Sequence, residues 1–212
     1  MPIKLYCFGE SGNAYKAALT LQLADLEWSP IYIDFFGGEA RSDKYLSEVN
    51  KMGEVPTLID GTLKLSQSGA IQQYICDTYA PQLGGIPSDK YKVLRWVLWD
   101  NHKFSSQAGI TRFLQNFLPE EKRSQQVISF QQGRLRTSFK VLDNHLADRE
   151  WIVGSNITVA DISCCGYLFY PEPFGFDRSE WKNIDKWLHR IQGLPNWKHP
   201  YDLMPGSPAD RQ

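Results

Sequence analysis

Cysteine and histidine are scarce in this sequence, which has four of each among its 212 residues. No two cysteines form a C-x-x-C pair, and no histidine has a second histidine three or four positions away. Zinc sites and disulfide frameworks rely on such repeated spacings. We therefore expect no metal site, and we expect reduced cysteines that act as small buried hydrophobes. The cysteines are Cys7, Cys76, Cys164 and Cys165.

Long apolar runs and clusters of basic charge are also missing. No uninterrupted stretch approaches the roughly 18 apolar residues of a membrane span, and the opening residues lack the apolar core of a signal peptide. The formal net charge is −1, and the 23 basic residues are scattered, so no nucleic-acid-binding footprint is visible. These absences predict a cytoplasmic protein that binds neither membrane nor nucleic acid.

Residues 1–79 alternate between strand-like and helix-like patterns. Strands are predicted at 3–7, 31–35, 57–59 and 62–65, and helices at 13–26, 41–49 and 69–79. Ser29-Pro30 should separate the first helix from the second strand, and Asp60-Gly61 should form a hairpin turn. The resulting order, βαβ-α-ββα, is that of an α/β thioredoxin-like domain.

A linker rich in proline and glycine follows at residues 80–90, and the pattern is helical from there on. Helices are predicted at 88–117, 119–146, 159–170 and 181–192. Thr158 and Asp161 have the spacing of a capping box, and Ile157 and Ile162 that of a hydrophobic staple. We therefore predict an all-helical domain over residues 91–212.

The most informative stretch is GEVPTLIDGTLKLSQSGAI, residues 53–71. Pro56 cannot donate to a sheet ladder, so it should stand at the first position of a strand or at a sheet edge. Gln67 and Ser68 supply an amide and a hydroxyl where the next helix begins, and a helix N-terminus favours an anion. We expect this stretch to hold an extended peptide, with the Val55 backbone pairing with the ligand and Ser68 meeting its carboxylate.

This segment resembles the glutathione-binding half of the cytosolic glutathione transferases, in particular bacterial serine-type members similar to the plant-type and theta-like classes. In that family the Val-Pro peptide is typically cis, and the residue before the proline pairs with the cysteinyl backbone of glutathione. The resemblance implies that Val55 takes this role and that Gln67 and Ser68 hold the γ-glutamyl end. It covers essentially the whole chain, and it implies glutathione as the co-substrate.

Ser11 is the candidate catalytic residue by the same resemblance. Ser11-Gly12-Asn13 follows the first strand, and Lys16 provides the basic residue that serine-type members carry five positions after the serine. A hydroxyl at a helix start can stabilise the glutathione thiolate, which is the reactive form of the thiol. Two alternatives stay open: Ser11 is only the helix N-cap, or Asn13 is the main contact of the sulfur. Tyr6 is a more distant candidate, since it lies within a strand.

The glycyl carboxylate of glutathione needs a cation. Arg41 matches this role best by position, and Lys51 is its rival. The chain departs from the family pattern at two further positions: Gln67-Ser68 replaces the Glu-Ser of many serine-type members, and Glu54 stands where glutamine is commoner.

The second substrate should bind between the two domains, beside the helix that contains Trp96, Trp99, His102 and Phe104. Tyr170 and Phe174 are expected near the same wall, although most of the aromatic rings should belong to the core. His102 is the polar candidate in this region.

The resemblance therefore predicts a detoxifying transferase that conjugates the glutathione thiolate to small hydrophobic electrophiles. It also implies a homodimer in which the first domain of one subunit meets the helices of the other. A glutathione-dependent disulfide or peroxide reductase, and a glutathione-binding scaffold without turnover, are the alternatives. The sequence does not identify the electrophile.

Overall fold

A computed structural model describes residues 2–208 of the chain. The chain divides into two compact units. Unit 1 consists of the residues up to Gly84 together with those from Pro195 onward, and unit 2 consists of residues 85–194.

Unit 1 is built on a four-stranded sheet with the order β2-β1-β3-β4. The strands are β1 (Ile3–Cys7), β2 (Trp28–Tyr32), β3 (Thr57–Asp60) and β4 (Leu63–Ser66). β1 is parallel to β2 and antiparallel to β3, and β3 is antiparallel to β4. Among the helices between and directly after these strands are α1 (Gly12–Leu23), α2 (Asp43–Glu48) and α3 (Ser68–Thr78).

Two local predictions in unit 1 were wrong. β2 begins at Trp28 and contains Pro30, although Ser29-Pro30 was predicted to precede the strand. Proline is tolerated there because β2 lies at the edge of the sheet, where one row of backbone donors has no ladder partner. The hairpin is also shifted by one residue, because Asp60 pairs with Leu63 and the turn residues are therefore Gly61 and Thr62.

Unit 2 is helical. A continuous helical stretch runs through α4 (Lys90–Trp99), a π-helical segment at Asp100–Ser105, α5 (Ser106–Arg112) and a second π-helical segment at Phe113–Phe117. The remaining helices of this unit are α6 (Gln125–His145), α7 (Val159–Cys165) and α8 (Lys182–Gln192). A small mixed α/β domain followed by a helical domain confirms the predicted fold class.

The predicted capping box at the start of α7 is present and is extended by further donors. The Asp161 carboxylate accepts hydrogen bonds from the Thr158 N–H at 2.9 Å, the Ile152 N–H at 2.8 Å and the Trp187 indole N–H at 2.9 Å. Complete burial raises the pKa of Asp161 to about 6, although these donors act in the opposite direction. One carboxylate therefore joins the start of α7 to the loop before it and to α8.

We predict that Asp161→Ala lowers the free energy of unfolding by about 3–5 kcal/mol, because several buried donors lose their acceptor at once. Denaturant titration followed by circular dichroism measures this change. Glu121→Ala, which removes an exposed carboxylate, is the control and should leave the midpoint unchanged. Equal midpoints for wild type and Asp161→Ala would show that the carboxylate does not join these elements.

The segment after α8 belongs to unit 1, although the sequence placed all residues from 91 onward in the helical domain. It contains the short helix α9 (Pro200–Leu203), which packs against α1. The Tyr15 hydroxyl donates to the Lys198 carbonyl at 2.9 Å, and Leu203 and Met204 are buried. A helix of four residues is too short to show an apolar periodicity. The sequence pattern therefore did not indicate that the chain returns to unit 1 after α8. The predicted linker at 80–90 stays a prediction.

Candidate functional site

The strand order brings the candidate residues of unit 1 to one end of the sheet. Tyr6 near the end of β1 pairs with Thr57 at the start of β3, and Thr57 pairs with Ser66 at the end of β4. The segments that follow β1, precede β3 and follow β4 therefore meet at this end. They contain Ser11, Val55 and the Gln67-Ser68 pair respectively.

Ser11 is the N-cap of α1. Its side-chain oxygen accepts a hydrogen bond from the Ala14 N–H at 3.1 Å, and the residue is 8% exposed. Among residues 2–208, no acceptor receives the hydroxyl proton of Ser11. This proton therefore remains available to a ligand at the positive end of the α1 dipole. The capping role and a ligand-binding role are compatible, since they use the oxygen and the proton of the same hydroxyl.

The other candidates beside Ser11 differ in what surrounds them. Asn13 is the second residue of α1 and is half-buried, and its side chain makes no hydrogen bond within the described part of the chain. Lys16 is fully buried in the same helix. The Tyr6 ring packs edge-on against Tyr45, with the ring centres 6.3 Å apart. Burial raises the pKa of the Cys7 thiol to about 12, so Cys7 is an unreactive core residue.

The Val55–Pro56 peptide bond is cis, as the resemblance implied. The preceding carbonyl, that of Glu54, accepts hydrogen bonds from the Tyr45 hydroxyl at 2.8 Å and the Asn50 amide at 2.9 Å. The Val55 side chain packs against the cluster that contains Tyr45. The N–H and C=O of Val55 bond to no described residue, because the ladder begins at Thr57. The backbone of Val55 is therefore fixed in place by its neighbours, while its own N–H and C=O pair with no described residue.

Gln67 and Ser68 stand where β4 passes into α3. Gln67 has a φ of 71°, which is unusual for a residue other than glycine and costs conformational energy. Its amide donates to the Glu54 carboxylate, with 2.6 Å between Nε2 and Oε2. Ser68, the first residue of α3, is buried. The Glu54 contact and the positive φ of Gln67 have no signal in the sequence.

Arg41 and Lys51 lie on neighbouring loops. Arg41 is the last residue of a short 3₁₀ helix. A Cβ placed on Gly53, two residues after Lys51, would lie 3.3 Å from the carbonyl of Ala40, the residue before Arg41. The two loops are therefore close together. Both side chains are exposed, and neither forms an ion pair within residues 2–208. Both cations therefore stay candidates for binding a carboxylate.

The returning C-terminal segment holds the loop that precedes Ser11. The Gly9 N–H donates to the Pro205 carbonyl at 2.6 Å. Gly206 has a φ of 82°, and a Cβ at this position would collide with the Tyr32 ring. Sequence reasoning missed this contact, which joins residues almost 200 positions apart.

We predict that Gly206→Ala lowers the free energy of unfolding by about 1–2 kcal/mol, because alanine disfavours a positive φ and its methyl group meets the Tyr32 ring. Gly133→Ala is the matched control. Gly133 lies within α6 and nothing lies near its missing Cβ, so alanine should raise stability by about 0.5–1 kcal/mol. Thermal and denaturant unfolding measure both. An equal change in both variants would contradict the packing of the tail against Tyr32.

The aromatic residues named for the second substrate mostly belong to the core of unit 2. Trp96 packs on His145 with ring centres 4.5 Å apart, and Phe104 and Phe174 are buried. The Arg112 guanidinium lies 3.9 Å from the centre of the Tyr170 ring. His102 is exposed and Trp99 is half-buried. A role for any of them in substrate binding stays a prediction.

Within residues 2–208, each helix is too short or too polar to span a membrane. In the same part of the chain, no group of three or more histidine, cysteine or acidic side chains is placed to hold a metal ion. The four cysteines are free and buried.

Comparisons with known proteins place both units in one family. The family model "Glutathione S-transferase, N-terminal domain" matches residues 1–77, and "Glutathione S-transferase, C-terminal domain" matches residues 106–195. Glutathione S-transferase F11 of Arabidopsis thaliana is 27% identical over 213 residues, which cover 96% of this chain and 99% of the relative. The disulfide-bond oxidoreductase YfcG of Escherichia coli K12 is 23% identical over 200 residues, with 91% of each chain covered.

Solved structures that resemble this chain support the same family. The crystal structure of a glutathione S-transferase from Pseudomonas fluorescens Pf-5 matches with a TM-score of 0.86 and 27% identity, and the match covers 95% of this chain and all of that one. A possible glutathione S-transferase from Rhodopseudomonas palustris matches with a TM-score of 0.86 and 25% identity, over 98% of this chain and 94% of that one.

Proposed function

Since this chain belongs to the glutathione S-transferase family, we propose that it conjugates the thiolate of glutathione to small hydrophobic electrophiles. The observation that carries the proposal is the convergence of three features at one end of the sheet in unit 1. They are the unpaired backbone of Val55, the buried Ser68 at the start of α3 and the available hydroxyl proton of Ser11.

Glutathione has a charged group near each end and a peptide backbone between them. The cysteinyl N–H and C=O would pair with the Val55 backbone as an added strand. The γ-glutamyl carboxylate would bind at Ser68, where the start of a helix favours an anion. The glycyl carboxylate would meet Arg41 or Lys51.

Ser11 would act by stabilising the thiolate. A thiol with a pKa near ~8.5 is about 3% ionised at neutral pH, and one near ~6.5 is about three-quarters ionised. This shift needs roughly 2.7 kcal/mol in favour of the anion. A hydrogen bond to a charged group supplies ~1.5–3 kcal/mol, and a helix N-terminus adds ~0.3–1 kcal/mol. One hydroxyl at the start of α1 is therefore sufficient.

The reaction then needs no general base on the protein. The thiol proton is lost to solvent when glutathione binds, and the sulfur lone pair forms a C–S bond with the electrophilic carbon. In a substitution, the leaving group departs with its bonding electrons. In an addition, the π electrons of an activated double bond shift to its far carbon, which takes a proton from solvent. The glutathione conjugate is released as a thioether.

We predict that Ser11→Ala raises the pKa of the bound glutathione thiol. Absorbance titration should give a pKa about one to two units below that of free glutathione in wild type and a value near that of free glutathione in the variant. Asn13→Ala is the matched variant and should keep the lowered pKa.

A low pKa that survives Ser11→Ala and is lost in Asn13→Ala would move the sulfur contact to Asn13. Glutathione that binds wild type with an unchanged pKa would support the scaffold alternative. The reductase alternative would use the same glutathione site, and activity with a mixed disulfide but none with aryl halides would support it. Location in the cytoplasm and a role in detoxification stay predictions.

We also propose the homodimer that the resemblance implies. Each unit has exposed apolar side chains that a second subunit could cover. Met52 in unit 1 is 67% exposed, and Tyr91 and Leu98, seven residues apart on α4, are 79% and 60% exposed. Exposed apolar side chains grouped on one surface are typical of protein–protein interaction sites.

Light scattering after size exclusion should therefore give about twice the chain mass of 24.4 kDa. Leu98→Lys should shift the mass toward that of one chain, whereas Lys92→Ala, an exposed change on the same helix, should not. A wild-type mass near 24.4 kDa would contradict the dimer.

A further inference from the structure

Residues 8–11 form the turn that brings Ser11 to the start of α1, and all four are buried. The Ser11 N–H donates to the Phe8 carbonyl at 3.1 Å, and the Ser11 side-chain oxygen caps α1. The Ser11 hydroxyl leaves a backbone that this turn fixes. The contacts that hold the turn therefore set the position of the hydroxyl.

The returning C-terminal segment, residues 195–208, lies directly on this turn. The Gly9 N–H donates to the Pro205 carbonyl at 2.6 Å. A Cβ on Gly9 would lie 3.1 Å from the Gly206 carbonyl oxygen and 3.2 Å from the Ser207 nitrogen, and its three nearest atoms all belong to this segment. The two backbones can approach this closely because residue 9 has no side chain.

The same segment is also fixed on the other side of Ser11. The Tyr15 hydroxyl donates to the Lys198 carbonyl at 2.9 Å, and α9 packs against α1. Between these two contacts with the first part of the chain, Leu203 and Met204 are buried. The segment thus holds the backbone two residues before Ser11 and the side chain four residues after it.

The effect of a hydroxyl on a thiolate depends on where the hydroxyl lies. Hydrogen bonds weaken steeply when the angle at the hydrogen falls below about 120°. A misplacement of about 1 Å, caused by a change away from the chemistry, can lower a rate about a hundredfold. The lowered thiol pKa proposed above depends on one hydroxyl, so it also depends on the turn that positions this hydroxyl.

We infer that residues 195–208 position the Ser11 hydroxyl toward the sulfur of glutathione, through the backbone contact of Pro205 and Gly206 with Gly9. This inference rests on the proposed function. It makes the C-terminal segment a positioning element of the site, which acts on the acidity of glutathione through Ser11 and without touching the sulfur.

The test measures the pKa of the bound glutathione thiol by absorbance titration in two variants of the full-length protein. Gly9→Ala places a methyl group against the Gly206 carbonyl, and the φ of Gly9 is not positive, so alanine meets no backbone strain of its own there. Gly206→Ala disturbs the same contact from the other side. Each should raise the thiol pKa by about one pH unit above the wild-type value. The affinity for S-methylglutathione, which has no thiolate, should stay within about twofold of wild type.

Gly84→Ala is the matched control in the same unit. The φ of Gly84 is not positive either, and a Cβ there would lie 3.4 Å from the Cys76 Cβ, which is an ordinary contact. This variant should keep the wild-type thiol pKa. Circular dichroism checks that each variant is folded.

A comparison in the Ser11→Ala background separates positioning from a general loss of packing. The hydroxyl to be positioned is missing there, so Gly9→Ala and Gly206→Ala should raise the thiol pKa no further. An unchanged pKa in both glycine variants, or an equal rise with and without the Ser11 hydroxyl, would overturn the inference while Ser11→Ala alone still raises the pKa. A Ser11→Ala variant that keeps the low pKa, or a wild type that binds no glutathione, would overturn the proposed function and the inference with it.

Discussion

The candidate site depends on how the chain is held just before β3. The Glu54 carbonyl accepts hydrogen bonds from the Tyr45 hydroxyl, the Asn50 amide and, at 3.4 Å, the Thr57 hydroxyl. These bonds and the packing of the Val55 side chain fix the segment outside the ladder. Backbone groups that pair with no other strand are normally a cost. Here they form an unpaired stretch to which the proposed peptide ligand would add.

The directions of the strands place two helix N-termini, with their partial positive charge, at the same end of the sheet. β1 and β4 both end where β3 begins, so the helices that follow them, α1 and α3, start at the same end of the sheet. Two helix N-termini beside one unpaired backbone match two of the anionic groups of glutathione, the thiolate and the γ-glutamyl carboxylate. Neither helix would need a charged side chain in its first turn to favour them, and neither has an acidic residue there to oppose them.

Features set by neighbouring residues were predictable from the sequence. The capping box at Thr158 is of this kind, because a short pattern carries the full signal, whereas the cis bond before Pro56 was implied by the family resemblance. Pro30 was misjudged because its tolerance depends on β2 lying at the sheet edge, which only the strand order decides. The contact between Gly9 and the C-terminal segment, and that between Glu54 and Gln67, join residues brought together by the fold. Whether an aromatic ring of unit 2 points into the core or toward solvent likewise depends on packing. Its position in the sequence therefore could not show whether it contacts a substrate.

A crystal structure of the protein with glutathione tests the central claim most directly, which is that the chain binds glutathione as a strand beside Val55 with its sulfur at the start of α1. The expected complex has the cysteinyl N–H and C=O about 3 Å from the Val55 carbonyl oxygen and amide nitrogen, with the sulfur within hydrogen-bonding distance of the Ser11 hydroxyl. A complex in which the Val55 backbone stays unpaired, or in which the sulfur lies away from the start of α1, would contradict it.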